Sequence, residues 1–288
     1  MSATTSPPAN EAVHELLVSG WLDLPDPAAG ATASRHRALM ELARTRPVGV
    51  ARLAEAHCDA VSILHEAGQE PVPGLLYGVW ASAGTAIDAN GDLRLLDVDV
   101  EPDDGIELDT SVWCTSALSD TATGTVRFAD HSIEPDRVIG PPGWYLDRVG
   151  FWHGACGPAA CWAGATRGLV DAARGADGSN AHRRAQLGAL EAASWGLEAL
   201  LDAAGREIDD APEDRDAAER RARSLRHLTE RMCADVLDRF GRAFGPRPFT
   251  TDAELAARFA DIHLYLRQHH GERELGEISP LHDGSMDG

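Results

Sequence analysis

The sequence contains no lysine; all 26 of its basic residues are arginine. That absence excludes an ordinary Schiff-base enzyme, which needs a reactive amine. It equally excludes the P-loop nucleotide site, whose signature ends in a lysine. Positive charge is also scarce overall. The balance is 26 − 46 = −20, so the field of the whole chain repels nucleic acid and anionic lipid. An anionic ligand must be met by a local arginine cluster. The five cysteines, Cys58, Cys114, Cys156, Cys161 and Cys233, are odd in number and include no CxxC pair. A disulfide framework or structural zinc site is therefore not expected. No run of about 18 apolar residues is present, so no membrane span is expected. The start, MSATTSPPANEAVHELL, lacks the basic and apolar regions of a signal peptide, and a cytoplasmic protein is the expectation.

The 288 residues fall into five stretches. Residues 1–10 are rich in Ser, Thr and Pro and read as a disordered tail. Residues 11–74 read as a short helical segment, with Leu53, His57, Ala60, Val61 and Leu64 at helical spacing. Residues 75–143 read as a small, truncated β-rich module. Its strand candidates are LLYGVWAS, LRLLDVDV after an ANGD turn, TSVWCTS and GTVRF. Residues 144–280 read as four helices. The first is the Ala- and Gly-rich Gly154–Gly175, where small residues suit close helix approach. The second and third are Ala181–Ile208 and Ala217–Phe244, separated by the acidic loop DDAPEDRD. GPRP stops the third, and Thr251 or Asp252 caps a fourth running to about Gly276. Short connections make an antiparallel four-helix bundle the expected solution. Residues 281–288 read as a second disordered tail.

Four stretches in this order resemble the acyl-CoA dehydrogenase superfamily: DTATGTVRFADHSIEPDRVIG (120–140), GFWHGACGPAACWAGATRGLV (150–170), RAQLG (184–188) and RFADIHLYLRQHHGEREL (258–275). The resemblance, that of a shortened and divergent member, implies a mainly α fold with a small β module and a C-terminal four-helix bundle. It implies FAD as cofactor, a site shared between subunits, and hence a homo-oligomer or a hetero-oligomer with a full-length relative. Arg184 and Gln186 match the family's phosphate-contacting pair, a role suited to the paired donors of a guanidinium. Gly241 and Gly245 match its Gly-rich turn near the flavin's nucleotide end; Gly245 before Pro246 equally suits a plain helix C-cap.

Where the family places a proton-abstracting Glu, this chain has His269, with His270 beside it. Histidine can serve as a general base near neutral pH. Phe259, Ile262, Leu266 and His269 follow one stripe, which predicts that His269 faces inward. His270 and Glu274 also stand at metal-ligand spacing, but no second set matches them, and no metal is expected. His57, His65, His153 and His182 read as structural. The family's W-x-T-[NS] strand, which covers the flavin ring, has no counterpart upstream of residue 120, since WCTSA (113–117) lies too close to DTATGTVRF. FAD binding is thus the part of the resemblance with least support. Three functions follow. The first is a flavin-dependent oxidoreductase acting on acyl-CoA or a related small molecule. The second is a non-catalytic or half-site subunit pairing with a full-length relative. The third is a flavin-dependent monooxygenase on the same scaffold.

Overall fold

The computed structural model describes residues 9–80, 86–88, 90–100, 105–129, 132–175 and 181–278. Helices come first: α1 (Ala9–Val18), α2 (Thr32–Thr45) and α3 (Val48–Glu66). Pro47 separates α2 from α3, because its ring cannot continue the helix behind it.

Among the described residues five short strands follow: β1 (Ala86–Ile87), β2 (Leu93–Leu96), β3 (Ile106–Asp109), β4 (Thr125–Phe128) and β5 (Val138–Ile139). β2 pairs antiparallel with β1 on one side and β5 on the other, while β3 and β4 form a separate antiparallel pair. The ANGD signal is a true turn: the Asp88 carboxylate accepts from the N–H groups of Asn90 and Asp92, and Gly91 has φ 87°. Two expected strands do not form among the described residues. Residues 75–80 form no ladder, because Tyr77 N–H donates to His57 Nδ1 at 3.0 Å and the Tyr77 hydroxyl accepts from Val72 N–H. Residues 81–82 of that candidate lie outside the described residues. TSVWCTS folds into turns: the Asp109 carboxylate accepts from Ser111 N–H and hydroxyl, and Trp113 Nε1 donates to Ala117 O. Such local side-chain bonds compete with a ladder.

From residue 144 the elements among the described residues are helices: α4 (Trp144–Asp147), α5 (Gly150–Gly154), α6 (Gly157–Arg174), α7 (Ala181–Asp210), α8 (Arg215–Phe244), α9 (Arg247–Thr251), α10 (Ala253–Tyr265) and α11 (Glu272–Ile278). Asp214 caps α8 through Ala217 N–H, and Asp252 caps α10 through Leu255 N–H. α6, α7, α8 and α10 make the bundle. Its seam repeats at 3- and 4-residue steps, with Leu190, Leu197, Leu201 and Ile208 on α7 and Leu225, Cys233, Val236 and Phe240 on α8, all buried. Trp162 of α6 is fully buried among them. The N-terminal helices share this core. α2 lies so close that a Cβ at Gly164 would strike the Met40 carbonyl, and one at Gly205 would strike the Ala33 backbone.

The fourth helix does not run unbroken to Gly276. α10 ends at Tyr265 and a single 3₁₀ turn covers Leu266–Gln268. His269 is extended (φ −80°, ψ 124°), Gly271 has φ 55°, and α11 then begins. Side chains take up the groups this break frees. Arg226 Nη2 donates to Gln268 O at 3.2 Å, and Glu274 Oε1 accepts from His270 N–H at 3.3 Å.

Candidate functional site

The break in the fourth helix turns His269 into the protein. Its side chain is 2% exposed, whereas that of His270 is 66% exposed. His269 Nε2 lies 3.3 Å from Nδ1 of His227 on α8, where one nitrogen donates and the other accepts. Its Nδ1 faces Glu274 Oε2 at 3.4 Å, and the other Glu274 oxygen lies 3.3 Å from His270 Nδ1. The result is a file of ionisable groups running from His227 through His269 and Glu274 to the surface at His270.

Burial holds His269 below its ordinary value against the pull of Glu274. Burial pushes Glu274 up, but Arg226 and the groups of His270 and His269 outweigh it, leaving the carboxyl below its ordinary value. A neutral imidazole beside an ionised carboxylate is a competent proton acceptor near neutral pH. Arg226 organises this end: its Nη1 donates to Ala155 O at 3.1 Å, its Nε lies 3.7 Å from Glu274, and its guanidinium covers the Trp162 ring at 4.9 Å.

Arg226 also leads to a second group that the sequence reading missed. Glu55 and Asp59 lie one turn apart on α3, facing the α5–α6 joint. Gly157 and Gly154 open the space they occupy, since a Cβ at either would collide with the Glu55 or the Asp59 carboxylate, and Gly150 does the same for Glu66. Neither Glu55 nor Asp59 has a hydrogen bond or ion pair among the described residues. The arginines around them are turned elsewhere: Arg35 to Pro25 O, Arg52 to the hydroxyls of Thr121 and Thr123, Arg148 to Glu66. Burial, then the charge of Asp59, pushes the Glu55 carboxyl up to about 8, and burial raises Asp59 too. The trace left in the sequence is GFWHGACG, where glycines 150, 154 and 157 stand at helical spacing and so mark a face of close approach.

The candidate cofactor residues gather at the far end of α8. Gln186 is half-buried and its Oε1 accepts from Arg239 at 3.2 Å, while Arg184 is exposed. Nothing lies within 4 Å of a Cβ built on Gly241, so a ligand could approach that backbone. Gly245, at φ 65°, caps α8 by donating to Gly241 O at 2.8 Å. Beside them is a pocket of about 260 Å³ lined by Arg183, Phe244, Arg247, Thr251 and Asp252, among others. Arg183 stacks over Phe244 at 5.7 Å. Arg239 is 12 residues from His227, roughly 18 Å along α8 at 1.5 Å per residue. Within one chain the histidines and the arginine pocket are therefore separate. Among the described residues no three His, Cys, Asp or Glu side chains group as metal ligands, and no helix is long and apolar enough to cross a membrane.

No family model and no curated protein matches the sequence. Solved structures do resemble the fold. KijD3, solved in complex with FMN and dTDP-3-amino-2,3,6-trideoxy-4-keto-3-methyl-D-glucose, aligns with TM-score 0.71 and 16% identity over 89% of this chain and 81% of that one. A nitrososynthase from Micromonospora carbonacea var. africana gives 0.71 and 15% over 94% and 90%. The HsaA monooxygenase from M. tuberculosis gives 0.65 and 14% over 93% and 90%. At such identities the likeness establishes architecture and not chemistry. The chain has the acyl-CoA dehydrogenase-like fold, mainly helical with a small sheet and a helical bundle.

Proposed function

We propose that this chain is a flavin-dependent oxidoreductase in which His269 moves the substrate proton. The observation that supports it is the burial of His269 between His227 and Glu274. The family resemblance puts the base at His269, and Glu274 would steady the imidazolium formed when it takes a proton. His270, exposed on the other oxygen of Glu274, offers that proton a route to solvent.

The arginine-flanked pocket by Gly241 suits the phosphate-bearing end of FAD or FMN, through Arg183 and Arg247 of one chain and Arg184 and Gln186 of a second copy or a full-length relative. Bound flavin would supply the redox chemistry. Of the two chemistries open to it, oxygenation of a small molecule is favoured over desaturation of an acyl thioester. On the family resemblance a histidine stands in place of the carboxylate base, and two of the similar structures, a dibenzothiophene monooxygenase and HsaA, are named monooxygenases. One observation favours the half-site subunit instead: among the described residues no strand carries a tryptophan that could cover a flavin ring.

The test is spectroscopic. The purified chain is mixed with FAD or FMN and passed through gel filtration. Retained flavin absorbance supports an enzyme; a colourless protein overturns that reading and leaves the partner subunit. Bleaching by an acyl-CoA without oxygen would select desaturation. Oxygen consumption with reduced flavin and no such bleaching would select oxygenation.

A further inference from the structure

A cleft of about 240 Å³ opens beside the β3–β4 pair, lined by Thr110, Trp113, Ser119, Ala122 and Thr123. None of these is charged. Arg52, behind the cleft, is engaged with the hydroxyls of Thr121 and Thr123 at 3.3 and 3.1 Å. The Trp113 indole N–H is committed to Ala117 O at 3.0 Å, and its half-buried ring packs against the core while also lining the cleft. The Thr110 and Ser119 hydroxyls make no protein hydrogen bond among the described residues.

The wall carrying Ser119 and Ala122 is held in an unusual backbone. Leu118 and Ala122, at φ 53° and 46°, are both left-handed without being glycine. Such geometry persists only when its surroundings over-determine it, and it concentrates at ligand clamps. The restraints are visible. Leu118 N–H donates to the buried Asp261 carboxylate at 2.7 Å, and the Thr121 hydroxyl donates to Leu118 O at 2.8 Å. These two bonds hold the rim's backbone in this conformation.

We infer that this cleft binds a neutral, hydroxyl-bearing ring of the pyranose class. The ring's apolar face would lie on Trp113 and its hydroxyl edge would meet Thr110 and Ser119. The volume suits one ring and falls short of the range of drug-sized pockets. An anion would find no cation in the lining. A wholly apolar ring would leave the hydroxyls unmatched. The site needs no flavin, so it stands or falls apart from the proposed redox activity.

Saturation-transfer difference NMR on the full chain, with methyl β-D-glucopyranoside as probe and indole as the apolar control, tests it. The native protein is expected to transfer saturation to the ring protons of the glucoside. Ser119 is exposed, so Ser119→Trp should fill the cleft, keep the circular-dichroism spectrum and weaken binding at least tenfold. Trp113→Ala should do the same. Should Ser119→Trp not fold, Thr110→Trp on the opposite wall gives the same reading. No transfer to the glucoside in the native protein, transfer to indole alone, or unchanged transfer in the folded cleft-filling variant each overturns the assignment.

Discussion

Replacing Glu55 with Gln should stabilise the protein at pH 8 and leave it nearly unchanged at pH 4.5. The carboxyl is buried, lacks a hydrogen-bonding partner, and is pushed from 4.5 up to about 8 by burial and by Asp59. A folded-state value above the unfolded one means the folded chain keeps a proton that the unfolded chain releases. Stability from this group is complete below 4.5 and drains away as pH rises through about 8. The interval spans ~3.5 pH units at about 1.4 kcal/mol each, which sets a ceiling of ~5 kcal/mol. Asp59 shares the proton balance, so roughly 2–5 kcal/mol is expected, a large part of a typical domain's stability. Glutamine keeps the shape and has no charge to bury. Four histidines, His36, His57, His153 and His269, are held low by burial and act oppositely: their stability is present above 6.5 and lost as pH falls below it. They are common to both proteins and cancel in the difference. Urea unfolding followed by circular dichroism at pH 5, 6.5 and 8 measures it. Parallel pH profiles for the two proteins, or a less stable variant at pH 8, would refute the reasoning.

Three further outcomes are expected. Gly164→Ala should lower the thermal midpoint, since the added Cβ meets the Met40 backbone, which cannot swing aside, at a cost of about 1–3 kcal/mol. Asp252→Ala should remove the α10 cap and cost about 1 kcal/mol in urea unfolding, with an unchanged m-value. If the chain turns over substrate, His269→Gln should abolish that turnover while retaining flavin. In the native enzyme the rate should climb as pH rises through a value below 6.5, where the imidazole loses its proton; an unaltered pH profile in the variant would remove His269 from the proton transfer.

Several features were legible because they depend on a few consecutive residues. Asp252 caps, Gly245 before Pro246 stops, and DDAPEDRD separates two long helices in the sequence as in the structure. The fourth helix was misread at its end. Its apolar steps continue through His269, but the chain leaves the helix where Arg226, from α8, takes the Gln268 carbonyl. His269 is buried as its spacing predicts, through a break that its spacing does not contain.

Local order thus came from the amino-acid string: which stretches coil, where they begin and end, and which faces are apolar. The tertiary structure alone decided which charges lose water. Gly154 and Gly157, at the α5–α6 joint, let that segment close over Glu55 and Asp59 of α3. At the cleft beside Trp113 it is likewise Asp261, 143 positions from Leu118, that accepts the Leu118 N–H and ties the loop down. Periodicity is set by neighbours along the chain, whereas desolvation is set by whatever packs from elsewhere, and no local pattern encodes that.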